Sequence, residues 1–243
     1  IKWGHPEVVV TNNDPADFTD LTHLFDVILT DVPCSGEGMF RKDQVAVDEW
    51  SLENVDICWK RQRRILADIW PALKPGGILI YSTCTFNREE DEDNVAWIAK
   101  ELGADVLSVP MEDSWGITGN LTGKDFPVYR FLPHKTKGEG FFLGVLKKRA
   151  DVLDETPRRF LKTSARLDKK KKGKDAKQPL VVPKEAKTWL EDSSEYALAM
   201  KDTNVVAFPK AYENEYALLQ QTLKVIHSGI TLGEIKGKDL IPH

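Results

Sequence analysis

Two cysteines stand where thiol chemistry could be done. Cys34 lies in Asp31-Val32-Pro33-Cys34-Ser35-Gly36 and Cys84 in Tyr81-Ser82-Thr83-Cys84-Thr85. Each follows an apolar run and sits among Asp, Ser, Thr and Gly rather than inside the run. A lone cysteine is by default a small buried hydrophobe. Two of them at strand ends also suit a nucleophile and a partner thiol, and both readings stay open at this point. Cys84 has one further advantage. It precedes a helical pattern that begins near Asn87, and the positive end of a helix raises a thiol's thiolate fraction. Asp31 closes its run just before the Pro-Cys turn, where a carboxylate could hold a base edge or a ligand's amino group. Asn13-Asp14 closes an earlier run in the same way. Turn formation before proline is the alternative for Asp31 and the plainer reading for Asn13-Asp14. Cys58 falls within a helical pattern and reads as packing.

Those positions depend on strands. Glu7 to Thr11, Phe25 to Thr30 and Ile78 to Ser82 are short runs rich in Val, Ile and Leu, bounded by Asn-Asn-Asp-Pro, Asp-Val-Pro and Lys-Pro-Gly-Gly. Runs apolar throughout predict strands covered on both faces, as in a parallel sheet. Between them, Asn54 to Leu73 places Ile57, Ile65, Leu66, Ile69 and Leu73 at helical spacing. A second helix is expected from Asn87 to Leu102, with Asn87 and Glu90 spaced as a capping box and Val95, Ile98, Ala99 and Leu102 as its buried stripe. Ala104 to Val109 and Gly140 to Leu146 read as further strands, the last of them antiparallel. The order predicts a doubly wound α/β domain, in which ligands bind beyond the carboxyl ends of the strands. If the second and third strands are neighbours, both thiols face one crevice.

The expected boundaries are a catalytic-type domain over residues 1–149, a basic linker over 150–178, and a smaller unit over 179–243 with a helix from Tyr212 to Ile226. Between Arg158 and Lys177 ten Lys or Arg stand against two Asp, including Lys169 to Lys172. Such a run is usually a solvated linker; in a protein that handles nucleic acid it also attracts phosphate. The chain has 243 residues, 41% hydrophobic and 30% charged, with net charge −4, so it is not a uniformly cationic binder. No apolar run approaches the roughly 20 residues of a membrane span, and no signal-peptide pattern is seen. Three cysteines without CxxC spacing argue for a reducing, cytoplasmic setting and against both a disulfide framework and a metal site.

The motifs then acquire a relative. Asp31 to Gly38 followed by Arg41-Lys42 resembles the Pro-Cys motif of the Sun/Nop family of RNA cytosine-5 methyltransferases. Gln62-Arg63, Leu73 to Gly77, and Tyr81 to Asn87 with Glu90-Asp91-Glu92 resemble its Thr-Cys block. Gly138 to Phe142 resembles its last core strand, and Lys236-Gly237-Lys238 with Pro242-His243 is similar to the start of the PUA-like tail of the bacterial ribosomal-RNA branch, the RsmF-like enzymes. The resemblance implies a Rossmann-like class I methyltransferase sheet, lacking its N-terminal part, and a small, incomplete α+β PUA-like unit. It implies S-adenosyl-L-methionine as cofactor and RNA, ribosomal in this branch, as partner. It assigns Cys84 as nucleophile, Cys34 as the cysteine that assists release, and Asp14 and Asp31 to cofactor binding. The family's glycine-rich cofactor loop has no counterpart in the sequence, so the chain alone is expected to bind cofactor poorly. Two other readings compete: a DNA cytosine-5 methyltransferase, in which Cys34 would attack, and a non-catalytic RNA-binding fragment.

Overall fold

The computed structural model describes residues 5–150, 182–237 and 239–243. The basic stretch expected as a linker, Lys169 to Lys172 included, lies outside them. The strands are β1 (Val9–Thr11), β2 (Phe25–Asp31), β3 (Leu73–Thr83), β4 (Ala104–Val106), β5 (Tyr129–Phe131), β6 (Phe141–Lys148), β7 (Tyr196–Lys201), β8 (Asn204–Pro209), β9 (Val225–Ser228), β10 (Ile230–Lys236) and β11 (Asp239–Pro242). The α-helices are α1 (Gln44–Glu49), α2 (Leu52–Ile69), α3 (Glu92–Glu101) and α4 (Glu213–Thr222). The chain divides into two compact units, one of residues 15–158 and the other of residues 1–14 with 159–243.

The first unit is an α/β sheet in the order β2-β3-β6-β4, with β5 also paired to β6. β2 and β3 run parallel, with Asp31 opposite Ser82, so the two chains leave the sheet side by side. β6 is antiparallel to β3, as the sequence suggested. One face carries the core: Leu79 and Tyr81 of β3, Phe142 and Leu146 of β6, Leu66 of α2, and Val95 and Ile98 of α3. Helix α3 comes so close that a Cβ on Gly144 would lie 2.9 Å from a Val95 methyl carbon. Full burial of each large apolar side chain here stabilises by about 1.5–3 kcal/mol.

Several sequence expectations need correction. The run Phe25 to Thr30 is not covered on both faces: Val27 and Leu29 are 54% and 65% exposed, and by strand alternation Asp31 shares their open face. Helix α2 ends at Ile69 because Pro71 cannot continue the ladder of N–H donors. Leu73, read as the helix's last apolar residue, instead opens β3 opposite Phe25. Ser51 caps α2, its hydroxyl accepting from the Asn54 N–H at 3.1 Å. Within α2, Ile57 is exposed, and the buried stripe is Val55, Gln62 and Leu66.

In the second unit β1 pairs antiparallel with β9, and β11-β10-β8-β7 form an antiparallel sheet. β1 was expected in the parallel sheet, with Asn13-Asp14 at the same end as the cysteines. Its backbone groups are satisfied by β9 instead, and the Asn13 side chain accepts the Lys224 N–H at 3.0 Å. The helix expected from Tyr212 to Ile226 stops at Thr222, because Val225–Ser228 is taken up as β9. Val205, Ala186 and Leu240 form a small core there.

Candidate active site

The parallel pairing of β2 with β3 brings the two cysteine loops together. Cys34 Sγ and Cys84 Sγ are 2.9 Å apart, within hydrogen-bond range for sulfur. Both are free thiols, each partly buried. The contact makes the pair asymmetric. A thiol proton shared by Cys34 stabilises the thiolate of Cys84 and holds its pKa down at about 7, against burial and the negative charges of Asp31 and Glu90, which oppose ionisation. The thiol of Cys34 is correspondingly pushed far up, by that same bond, by burial and by the charge of its neighbour. Cys58 sits on α2 and is raised by burial, so it is not activated.

The loops are fixed by two buried carboxylates that sequence reading treated as motif flanks. Glu90 accepts the Ser35 backbone N–H at 3.1 Å, the Gln62 amide at 2.6 Å and the Asn87 amide at 2.7 Å. Gln62 also donates to the Pro33 carbonyl at 3.0 Å, so the backbone is held on either side of Cys34. The expected Asn87–Glu90 capping box does not form, because the N-cap of α3 is Asp91. The Asn87 carbonyl oxygen accepts the Glu90 N–H at 2.9 Å, but the Glu90 carboxylate turns to Ser35, and α3 itself starts later, at Glu92.

Glu37 does the reverse. It accepts the Thr85 hydroxyl at 2.8 Å, the Phe86 N–H at 2.7 Å and the Trp50 indole N–H at 3.0 Å. The Gly38 N–H donates to the Cys84 carbonyl at 2.7 Å. A Cβ on Gly38 would lie 2.6 Å from both the Cys84 and Gly140 carbonyl oxygens, so the closeness of the two loops requires glycine there.

Behind the loops is Arg130, 3% exposed, on β5. It donates to Glu92 through Nε at 2.7 Å and through a second, short contact. It also approaches Asp91 at 3.1 Å and donates to the Phe86 carbonyl at 3.0 Å. Burial works against its charge, but Glu92 and Asp91 raise its pKa above the ordinary value. Gln62, Tyr81 and Asn94 extend the network. The Tyr81 hydroxyl donates to the Glu90 carbonyl at 2.6 Å, and the Asn94 amide donates to the Gln62 carbonyl oxygen at 2.6 Å. Nothing in the sequence marked Arg130, because its partners lie nearly forty positions away; the acidic cluster Glu90-Asp91-Glu92 was the one available sign.

Asp31 is exposed at the carboxyl end of β2, close enough for its charge to bear on Cys84. Asp14 follows β1 and belongs to the second unit. Among the described residues no group of three or more His, Cys, Asp or Glu could hold a metal ion, and no helix is long and apolar enough to cross a membrane.

The arrangement is a low-pKa thiol held against a second thiol at the carboxyl end of an α/β sheet. Residues 2–147 match the profile of the 16S rRNA methyltransferase RsmB/F family. The chain belongs to that family. It is 33% identical over 239 residues to a ribosomal RNA small subunit methyltransferase F from Cronobacter sakazakii, covering 98% of this chain and 48% of that protein. It is 40% identical over 154 residues to the enzyme of the same name from Klebsiella pneumoniae, covering 62% of this chain and 32% of that one. The chain thus spans between a third and a half of the length of the curated relatives it matches. Among solved structures it is similar to NSun6 from Pyrococcus horikoshii with SFG, at 30% identity and a TM-score of 0.47, covering 56% of this chain and 33% of that one.

Proposed function

We propose that this chain carries the thiol machinery of an S-adenosyl-L-methionine-dependent methyltransferase that acts on carbon 5 of a cytosine in ribosomal RNA. The observation that carries the reading is the 2.9 Å contact between Cys34 and Cys84, which leaves Cys84 about half ionised at neutral pH. Cytosine carbon 5 is a weak nucleophile. Addition of the Cys84 thiolate to carbon 6 makes it an enamine-like carbon able to take a methyl group, and splits one hard step into easier ones. The bound cofactor supplies that methyl group as an electrophile. Transfer of the carbon-5 proton to solvent water then lets the carbon 6–sulfur bond break with its electron pair on sulfur, which restores the ring and the Cys84 thiolate. Cys34, retaining its proton beside the sulfur, stabilises the departing thiolate and so assists release. The target base must leave its stack to reach the thiols.

Asp31 is proposed for the cofactor and base end, supported by its exposed carboxylate at the end of β2, whose charge bears on Cys84. Asp14 is proposed for the cofactor's adenosine. The second unit is proposed as the start of a PUA-like RNA-binding domain, and the basic stretch 158–177 as a source of phosphate attraction. The setting proposed is the cytoplasm. The test is methyl transfer from S-adenosyl-L-methionine to ribosomal RNA by this chain, alone and extended at its N-terminus with the corresponding segment of a relative. Methylation at cytosine carbon 5 that requires Cys84 supports the reading. Transfer to another atom, or transfer that survives Cys84→Ala, contradicts it.

A further inference from the structure

We propose that Glu37 and Glu90 are positioning residues for the thiol pair: each is rooted in one cysteine loop and grips the other, and together they hold Cys34 against Cys84. Glu37 lies three residues after Cys34 and binds Thr85 and Phe86, just past Cys84. Glu90 lies six residues after Cys84 and binds Ser35, just past Cys34. The Ser35 and Thr85 hydroxyls, 3.1 Å apart, lie between the two grips.

A carboxylate is required at both places by hydrogen-bond arithmetic. The groups around Glu90 are all donors: the Ser35 N–H, the Gln62 amide and the Asn87 amide. Those around Glu37 are donors too: the Thr85 hydroxyl, the Phe86 N–H, the Trp50 indole and the Asn87 amide. Only a group that accepts at every site satisfies them, and a glutamine would turn an N–H2 toward other donors.

This choice opposes thiolate formation, because the charge of Glu90 raises the pKa of Cys84. The same carboxylate therefore has two effects of opposite sign on the thiol. Its charge disfavours the thiolate, and its grip on the Cys34 loop favours it by keeping the Cys34 proton in place. The ionisable groups that bear on Cys84 are Cys34 and Asp31 from the β2 side and Glu90 from the segment before α3, while Glu37 and Arg130 of β5 reach the N–H and the carbonyl of Phe86.

The opposed signs make the test decisive. The proposal rests on the reading of the two thiols as a working pair, but its readout is thiol acidity in the 243-residue chain and involves no methyl transfer. The rate of Cys84 alkylation by iodoacetamide is followed against pH by peptide mass spectrometry, with Cys58 as internal reference. In the wild type the midpoint should fall at about 7. Glu90→Gln and Glu37→Gln should each move it up by at least about one unit, slowing Cys84 alkylation at neutral pH roughly fivefold or more. In a Cys34→Ala background neither should raise it further, since the proton they position is gone. A midpoint that stays or falls in the Cys34-containing variants overturns the proposal, because that is what a purely electrostatic carboxylate does. Should either glutamine variant fail to fold, judged by far-UV circular dichroism, Glu90→Asp decides. It keeps the charge and shortens the reach, so a raised midpoint supports positioning and an unchanged one overturns it.

Discussion

The two ends of the central sheet meet the same problem with opposite charges. At the cysteine end, beyond Asp31 and Thr83, loop N–H groups are buried and carboxylates take them: Glu37 and Glu90. At the other end, where α2 gives way to β3, the buried groups are carbonyls, and a lysine takes them. Lys148, fully buried at the end of β6, donates to the Trp70 carbonyl at 3.0 Å and the Leu73 carbonyl at 3.1 Å, with its charge 5.3 Å from the Trp70 ring. That charge also suits the negative end of a helix. The lysine end closes a turn. The carboxylate end orients two thiols as well. Buried charge alone therefore does not mark a reactive site; what marks it is a reactive group held between the charges.

The sharpest way to break this contrast is Cys84→Ala. If Cys84 is the nucleophile as proposed, its removal should lower methyl transfer by on the order of 10^4-fold or more, measured as single-turnover transfer to ribosomal RNA, with little change in melting temperature. The corresponding change at the lysine end should leave the chemistry in place. Next comes thiol reactivity. With a pKa of about 7, half of Cys84 is thiolate at neutral pH, whereas Cys58 lies above its ordinary value of 9.0. Alkylation at neutral pH should favour Cys84 by roughly fiftyfold or more, and the preference should shrink as pH rises through the Cys58 pKa. Equal rates at neutral pH would contradict an activated Cys84.

Arg130→Ala leaves Glu92 buried without its partner and should cost about 3–5 kcal/mol in urea unfolding. It should also release the Phe86 carbonyl and loosen the Cys84 loop. Lys148→Met leaves two buried carbonyls without their donor, at about 1–3 kcal/mol each, and should not move the Cys84 alkylation midpoint. A shifted midpoint in Lys148→Met would erase the distinction between the two ends. The smallest effect is expected from Lys60→Ala, which removes an exposed pair with Asp56 and should change stability by no more than a few tenths of a kcal/mol.

Sequence reading located the thiols because Cys34 and Cys84 follow recognisable strands, and parallel neighbours must release their chains at the same end. It found the antiparallel β6 from a single apolar run. It missed Gln62, which occupies a helical core position but is there to bind the Pro33 carbonyl and Glu90; helical periodicity carries no signal for a buried amide. It missed Arg130 and Lys148 because a buried cation looks like a surface one until its distant partners are known. It misplaced β1, since a three-residue β-branched run records that a strand exists and not which partner it takes. Glu90 illustrates the middle case: its spacing from Asn87 predicted a helix cap, but the Asn87–Glu90 bond closes a turn ahead of α3, and tertiary contact with Ser35 claimed the carboxylate.

The central claim is that Cys84 attacks and Cys34 assists. The most direct test is covalent trapping on RNA carrying 5-fluorocytosine at the target, where the fluorine cannot leave carbon 5 as a proton does and the adduct stalls. The chain extended with a relative's N-terminal segment is incubated with cofactor and RNA, and adducts are resolved on denaturing gels. The account predicts an adduct with the wild type, none with Cys84→Ala, and a retained adduct with Cys34→Ala. An adduct that survives Cys84→Ala and disappears with Cys34→Ala would contradict it and make Cys34 the nucleophile.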